Sequence, residues 1–282
     1  MESNLGHISK NQIKFIRSLQ LKKVRDEEEL FVAEGDKCIS ELIHHFELVT
    51  LVQSGVESGK FKVESKLDSG KFNSYIATEQ ELSQMSSLKT PQGSIAVFRQ
   101  KSDKLSTTEP DGFSKLSNNR APWGLRTFNF KLEQALVLAL DGIQDPGNLG
   151  TIIRTADWFG ITDIYCSKDT ADCYNPKVVQ ATMGAIARVK VHYVDLEDLF
   201  EEYNDMPIYG TFLNGRNIYN SELKKPCFVV FGNEGQGIGA KVERCVTERL
   251  LIPAAPGNGS ESLNVGVAAA ITISEFMRDT LK

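Results

Sequence analysis

No apolar run in this 282-residue chain approaches the roughly 20 residues that a membrane-spanning helix needs, so the sequence predicts no transmembrane segment. The opening MESNLGHISKNQIK holds no apolar signal-peptide core, and the expectation is a cytoplasmic protein. Histidine is scarce, at four, without ligand spacing, and the five cysteines (38, 166, 173, 227 and 245) contain no CxxC pair. These absences remove the usual zinc frameworks and predict no metal, with reduced thiols in a core. Excess positive charge is missing too. The net charge is −5, with 41% hydrophobic and 24% charged residues, ordinary values for a soluble globular protein. A nucleic-acid partner would therefore have to be met by local basic character.

Such character exists near the start. The stretch HISKNQIKFIRSLQLKKVR carries Lys10, Lys14, Arg17, Lys22, Lys23 and Arg25 with no acid, and Asp26 to Glu29 follow at once. A basic helical face is what phosphate binding requires, which makes Lys14, Arg17, Lys22 and Lys23 candidate contacts. A plain solvated helix surface gives the same pattern. Residues 1–100 hold 13 basic and 14 acidic side chains, residues 101–134 hold 6 and 4, and residues 135–282 hold 13 and 19.

The length allows two domains, each with its own core. In the first, FVAEG (31–35), ELVTLVQ (47–53), SYIAT (74–78) and SIAVFRQ (94–100) read as strands, with a helix from Asp36 through Phe46. Residues 101–134 lose periodicity and are rich in Ser, Thr, Asn and Pro, which predicts a long linker. Its end mixes Arg120, Trp123, Arg126, Phe128 and Phe130, which suit either stacking on nucleic-acid bases or packing on a neighbouring domain.

In the second half, ALVLALDG (135–142) reads as a buried strand, then a Gly/Pro turn, then a helix with Ile152, Ala156 and Phe159 on one face. DIYCS (163–167), IYGTF (208–212), CFVVFGN (227–233) and RLLIP (249–253) are further strands. Trp158, Phe159 and Met183 read as core, and His192 as a loop or strand residue. Alternation of strands and helices predicts an α/β fold: a parallel sheet covered on both faces, with ligands at the carboxyl ends of its strands.

Polar and glycine residues concentrate after three of these strands, in DPGNLGTIIRTA, FGNEGQGIG and IPAAPGNGSESLN. Glycines let backbone groups approach a ligand closely. GQGIG lacks the Gly-Lys-Ser/Thr of a phosphate loop, and GNLGTIIRTADWFG does not fit GxGxxG. The third loop opens a helix of small apolar residues, where Ser262 either caps the helix or faces a ligand.

NLGTIIRTA, FGNEGQGI and IPAAPGNGSESLNVGVAAAI together resemble the three ordered motifs of the SpoU or TrmH family, the RNA ribose 2′-O-methyltransferases of the SPOUT superfamily. The resemblance covers residues 135–282. Residues 1–100 resemble more loosely the L30e-like substrate-binding domain of rRNA-modifying members, on FVAEGDKCISELI. It implies a parallel-sheet domain with a C-terminal trefoil knot, S-adenosyl-L-methionine (AdoMet) as cofactor, and a homodimer acting on RNA. The chain departs from the pattern in two places: the loop from Ile252 to Leu263 is about two residues longer, with Ala254–Ala255 in place of the common methionine, and the linker is long.

By this resemblance Arg154 is the central polar residue, near the target hydroxyl and its phosphate. The family casts it as proton acceptor, yet a guanidinium keeps its proton, so gripping phosphate and orienting the hydroxyl is the physically firmer role. Asn148 and Asn264 would orient Arg154 or the ribose, Glu234 would fix that network, and Ser262 would bind phosphate at the helix N-terminus. Gly232, Ile252 and Leu263 match cofactor-contact positions of the family; Leu213, at another strand end, would add to that apolar wall, and Asn233 is a further cofactor-binding candidate. The expected activity is 2′-O-methylation of a ribose in rRNA, of the large subunit. The same chemistry on tRNA and a non-catalytic RNA-binding protein of the same fold are the alternatives.

Overall fold

Capping side chains and β-branched runs set the elements of the first domain in a computed structural model, which describes residues 6–55, 72–101, 136–257 and 261–280. The elements in order are β1 (Gly6–His7), α1 (Lys10–Ser18), α2 (Lys22–Glu28), β2 (Leu30–Glu34), α3 (Asp36–Leu42), β3 (Leu48–Ser54), β4 (Asn73–Ala77), α4 (Glu79–Met85) and β5 (Ser94–Arg99). Helix α1 begins at a reciprocal capping box between Ser9 and Gln12, and α4 at another between Thr78 and Glu81. The sheet runs β1-β4-β3-β5-β2, with β5 antiparallel to both neighbours. Helix α3 stops at Leu42, short of the expected Phe46. The ring of Phe46 instead turns inward, 5.0 Å edge-on from Phe31, where aromatic packing outweighs another helical turn.

The second domain contains β6 (Leu136–Asp141), α5 (Pro146–Trp158), β7 (Asp163–Cys166), α6 (Pro176–Thr182), β8 (Lys190–Tyr193), α7 (Leu196–Glu202), β9 (Ile208–Asn217), β10 (Cys227–Gly232), α8 (Ala240–Cys245), β11 (Glu248–Leu251) and α9 (Val265–Met277). Its six strands are all parallel, in the order β11-β9-β10-β6-β7-β8. Both faces are covered, as expected of such a sheet. Leu136, Leu138 and Leu140 point into a core shared with α5, α6 and α9, while Val137 and Ala139 point into a second one with α7 and α8.

Four readings change. Pro146 and Gly147 are not a turn but the first residues of α5, behind an Asp145 cap that accepts the Asn148 N–H at 2.8 Å; an N-cap acid followed by proline is a helix start. Strand β9 continues to Asn217, so Leu213 lies within it rather than at its end. The edge strand β8, which contains His192, lies outside the strands read from sequence. Trp158 is 84% exposed, not core, because Leu149, Ile152, Ile153 and Ala156 define the inner face of α5 and Trp158 falls on the outer one. Phe159 does pack against the core, partly buried, while Met183 is half-buried and ends α6 at φ +52°. Most of the expected linker, with Arg120, Trp123, Arg126, Phe128 and Phe130, lies outside the described residues.

Close packing makes one motif glycine structural. A Cβ at Gly150 would sit 2.4 Å from Ala181 Cβ and 3.0 Å from the Val178 carbonyl, where α5 lies on α6. Gly150→Ala should lose about 1–3 kcal/mol of stability by overpacking, read as a lower urea midpoint.

The two domains share one apolar core. Phe31 and Phe46 of the first meet the ring of Tyr174 in the second at 4.8 and 6.4 Å. Arg188 forks onto Asp157 at the end of α5 and also reaches Glu41 of α3 at 3.0 Å. The cysteines are reduced and mostly buried; burial pushes the Cys38 thiol up to about 11 and that of Cys227 to about 12.

Candidate active site

The three glycine-containing loops meet at the carboxyl ends of β6, β10 and β11, and one chain of hydrogen bonds ties them together. The Asn148 backbone is satisfied by Asp145, which leaves its side chain free to bridge. Asn148 Nδ2 donates to Glu234 Oε1 at 2.8 Å, and Asn148 Oδ1 accepts from Asn264 Nδ2 at 2.8 Å. Asn264 Oδ1 accepts from the Gly266 and Val267 N–H groups at 3.0 and 3.2 Å, so Asn264 is the N-cap of α9. Residues separated by 86 and 116 positions are thus joined.

Ser262 is therefore not the cap. It is exposed just before α9, and two of the helix's leading N–H groups already belong to Asn264. Arg154 stands outside the network. Six residues along α5 from Asn148, it lies about 9 Å further on by helical rise and about a third of a turn round. It is exposed, and none of the described carboxylates pairs with it. The structure brings together Asn148, Glu234 and Asn264, and leaves Arg154 and Ser262 open to solvent beside them.

The turn after β10 is built by Asn233. Its Oδ1 accepts from Gly235 and Gln236 N–H at 2.9 and 3.0 Å, its Nδ2 donates to the Gly142 carbonyl at 2.7 Å, and its backbone pairs with Gly237. Its side chain is consumed in shaping the turn that carries Glu234. Gly232 answers the same need, since a Cβ there would lie 2.2 Å from backbone atoms of Gly237 and Ile238.

Sequence reasoning missed Asp141, at the end of β6. Its Oδ2 accepts the Gly239 N–H at 2.7 Å and so pins the far end of the Glu234 turn. Burial pushes this carboxyl up, the Gly239 bond pulls it down, and neighbouring Asp169 raises it further. An acid closing an otherwise apolar strand, before Gly142, was the available signal.

Two apolar side chains at the same end are left uncovered, with a third partly covered beside them. Leu213 is 71% exposed, in the stretch where the β9–β11 register jumps from Gly210 to Arg216. Leu263 is half exposed and Ile252 partly buried against the core. Below them Phe212 is clamped by the Arg249 guanidinium, 3.6 Å over its ring. Apolar walls beside backbone donors and acceptors at strand ends suit a flat heterocycle with a polar edge.

Residues 135–274 match the SpoU rRNA Methylase family, and residues 10–96 the MRM3-like substrate binding domain. A TrmH-family protein of known structure from Porphyromonas gingivalis is 35% identical, with 97% of this chain and 100% of that one covered at a TM-score of 0.75. The chain belongs to the SpoU methylase family. Within that family, 23S rRNA (guanosine(2553)-2′-O)-methyltransferase RlmP of Bacillus subtilis is 29% identical over 269 residues, 94% of this chain and 96% of the relative. An AdoMet-bound rRNA methyltransferase from Sinorhizobium meliloti is 26% identical, covers 99% of this chain and 98% of its own, and has a TM-score of 0.77. Both domains of this SpoU protein thus have counterparts in one chain of the same arrangement.

On the first domain, Lys14 and Arg17 are exposed on α1 with no ion pair among the described residues. Lys22 and Lys23 are exposed on α2 but paired one turn on, with Asp26 at 3.1 Å and Glu27 at 3.8 Å. Arg25 points inward and is buried. Among the described residues no group of three potential ligands could hold a metal, and no helix is long and apolar enough to cross a membrane.

Proposed function

We propose that this protein is an AdoMet-dependent RNA ribose 2′-O-methyltransferase whose substrate is large-subunit rRNA. The observation that carries the reading is the Glu234–Asn148–Asn264 chain, which gathers all three family motifs at one sheet end, with Arg154 exposed further along α5 and without an ion pair among the described residues. RlmP and the Sinorhizobium enzyme support the choice of rRNA. AdoMet, when bound, supplies an electrophilic methyl group; Leu213, Ile252 and Leu263 would enclose its adenine, with Gly232 admitting the backbone.

The chain's own work is alignment. Holding a nucleophile in line can contribute on the order of 7–11 kcal/mol, against about 10²–10⁴-fold for a general base. Arg154 would grip the phosphate next to the target ribose and orient its 2′-hydroxyl, with Ser262 as a second phosphate contact. Glu234 and the two asparagines hold the loops in register. The C-terminal segment that ends in α9, held to α5 through Asn264 and Asn148, would be the threaded part of a trefoil knot.

Trp158 is exposed at the C-terminal end of α5 and Leu263 and Val267 at the start of α9, and a second copy of the chain is the proposed cover. Trp158→Glu should then shift sedimentation from dimer to monomer. The proposed compartment is the cytoplasm.

Tritiated methyl incorporation from AdoMet into rRNA and tRNA, separated on a gel, tests the activity. Label in large-subunit rRNA is expected. Label confined to tRNA would move the substrate, and none in either would leave a binding protein. On the first domain, the Lys14→Ala/Arg17→Ala variant should flatten the salt dependence of RNA binding by about two phosphate contacts, and Lys22→Ala/Lys23→Ala by fewer because those amines already have partners. Equal slopes for both variants would remove α1 from the RNA face.

A further inference from the structure

Arg25 is the most deeply placed cation in the described chain, 1% exposed, and its guanidinium joins three things at once. Nη1 donates to the Leu19 and Gln20 carbonyls at 2.9 and 2.8 Å, closing the end of α1. Nε and Nη2 donate to Asp172 Oδ2 of the second domain at 3.0 and 2.5 Å. The Arg25 carbonyl itself is held by Gln100 Nε2 at 3.1 Å.

Asp172 belongs to the loop from Ser167 to Asn175, between β7 and α6, and the rest of that loop grips the catalytic end of β6. Ser167 Oγ accepts the Gly142 N–H at 2.8 Å, and the Ala171 N–H donates to the Ile143 carbonyl at 2.8 Å. The Gly142 carbonyl in turn receives Asn233 Nδ2 at 2.7 Å, in the turn that bears Glu234. On its other side the loop packs the ring of Tyr174 against Phe31 and Phe46, and Tyr174 N–H donates to Asp172 Oδ1 at 2.9 Å. A single loop is therefore fastened both to the substrate-binding domain and to the strand end from which the active site is built.

A buried ion pair is a poor source of net stability, because desolvation offsets most of its attraction, and an apolar pair of similar size serves as well or better. What a forked, fully hydrogen-bonded guanidinium supplies instead is direction. We propose that Arg25 and Asp172 are positioning residues that fix the orientation of the substrate-binding domain against the catalytic loops, so that methyl transfer to RNA long enough to touch both domains depends on them while AdoMet binding does not. This rests on the function proposed above, and it makes the seam a determinant of which RNA is modified.

The test uses the full chain as Arg25→Met, Asp172→Leu and the double variant. Each single change strands a buried charge and can simply unfold the protein, whereas the double variant removes both charges and should fold, melting below the wild type only by the cost of the Leu19 and Gln20 carbonyls and the Tyr174 N–H that lose their partners. In the double variant, amide exchange at residues 167–175 and 233–239 should rise about tenfold, with α7 and α8 unchanged. AdoMet affinity by calorimetry should match the wild type. The kcat/KM for extended rRNA should fall at least tenfold, mostly through KM, while that for a short oligonucleotide around the target stays the same. Wild-type exchange at both segments, or full activity on extended rRNA, would overturn the proposal, as would equal loss on both substrates. A wild-type enzyme that methylates neither RNA defeats the functional reading instead, and the exchange data still decide the role of the pair.

Discussion

Arg154→Ala is expected to lower the single-turnover rate of methyl transfer by about 10²-fold or more, the loss that follows when a substrate is misplaced by about an ångström. The side chain is exposed and without an ion-pair partner among the described residues, so its removal should leave the melting temperature and AdoMet affinity untouched. Arg154→Lys keeps the charge but loses the planar fork that matches a phosphate, and should recover only part of the rate. The measurement is quenched-flow incorporation with enzyme in excess over RNA. A wild-type rate in Arg154→Ala would remove this residue from the site.

Asn264→Asp separates fold from chemistry at one position. Aspartate still accepts from the Gly266 and Val267 N–H groups and remains a good N-cap, so α9 should stay as stable as before. The variant lacks the Nδ2 donor, however, and sets a carboxylate against Asn148 Oδ1, which now has an acceptor facing it. The bridge to Glu234 should break, with a fall in kcat of about 10²-fold by misalignment. Asn264→Ala should lose the bridge and also about 1 kcal/mol of capping. Thermal melts beside single-turnover rates distinguish the two. An Asp variant as active as wild type would show that the asparagine serves α9 alone.

Much of this organisation was legible because the strands of the second domain are buried on both faces. A run such as LVLALD has one physical outcome, and β6, β7 and β10 fall within a residue or two of their expected bounds. Residues whose environment is set by something distant were not legible. Trp158 looks like core until the inner face of α5 is fixed by β6 and α6. Strand β9 runs past Phe212 because β11 offers a second stretch of pairing, Leu250 and Leu251 against Arg216 and Asn217. Arg25 stands in a row of basic residues with nothing in the sequence to set it apart, because its partner lies 147 residues on. In the site, residue types pointed to Asn148, Glu234 and Asn264. Which of them touch, and that Asn264 rather than Ser262 caps α9, needed the geometry.

The aromatic seam through Tyr174 bears on how this chain could be cut or evolved. Two sequence modules with separate relatives share one interior, so modular ancestry does not give modular stability. A fragment starting at residue 136 would carry a naked tyrosine ring and its apolar surroundings into water, and should self-associate. Any natural catalytic half that lives alone must have traded those side chains for polar ones.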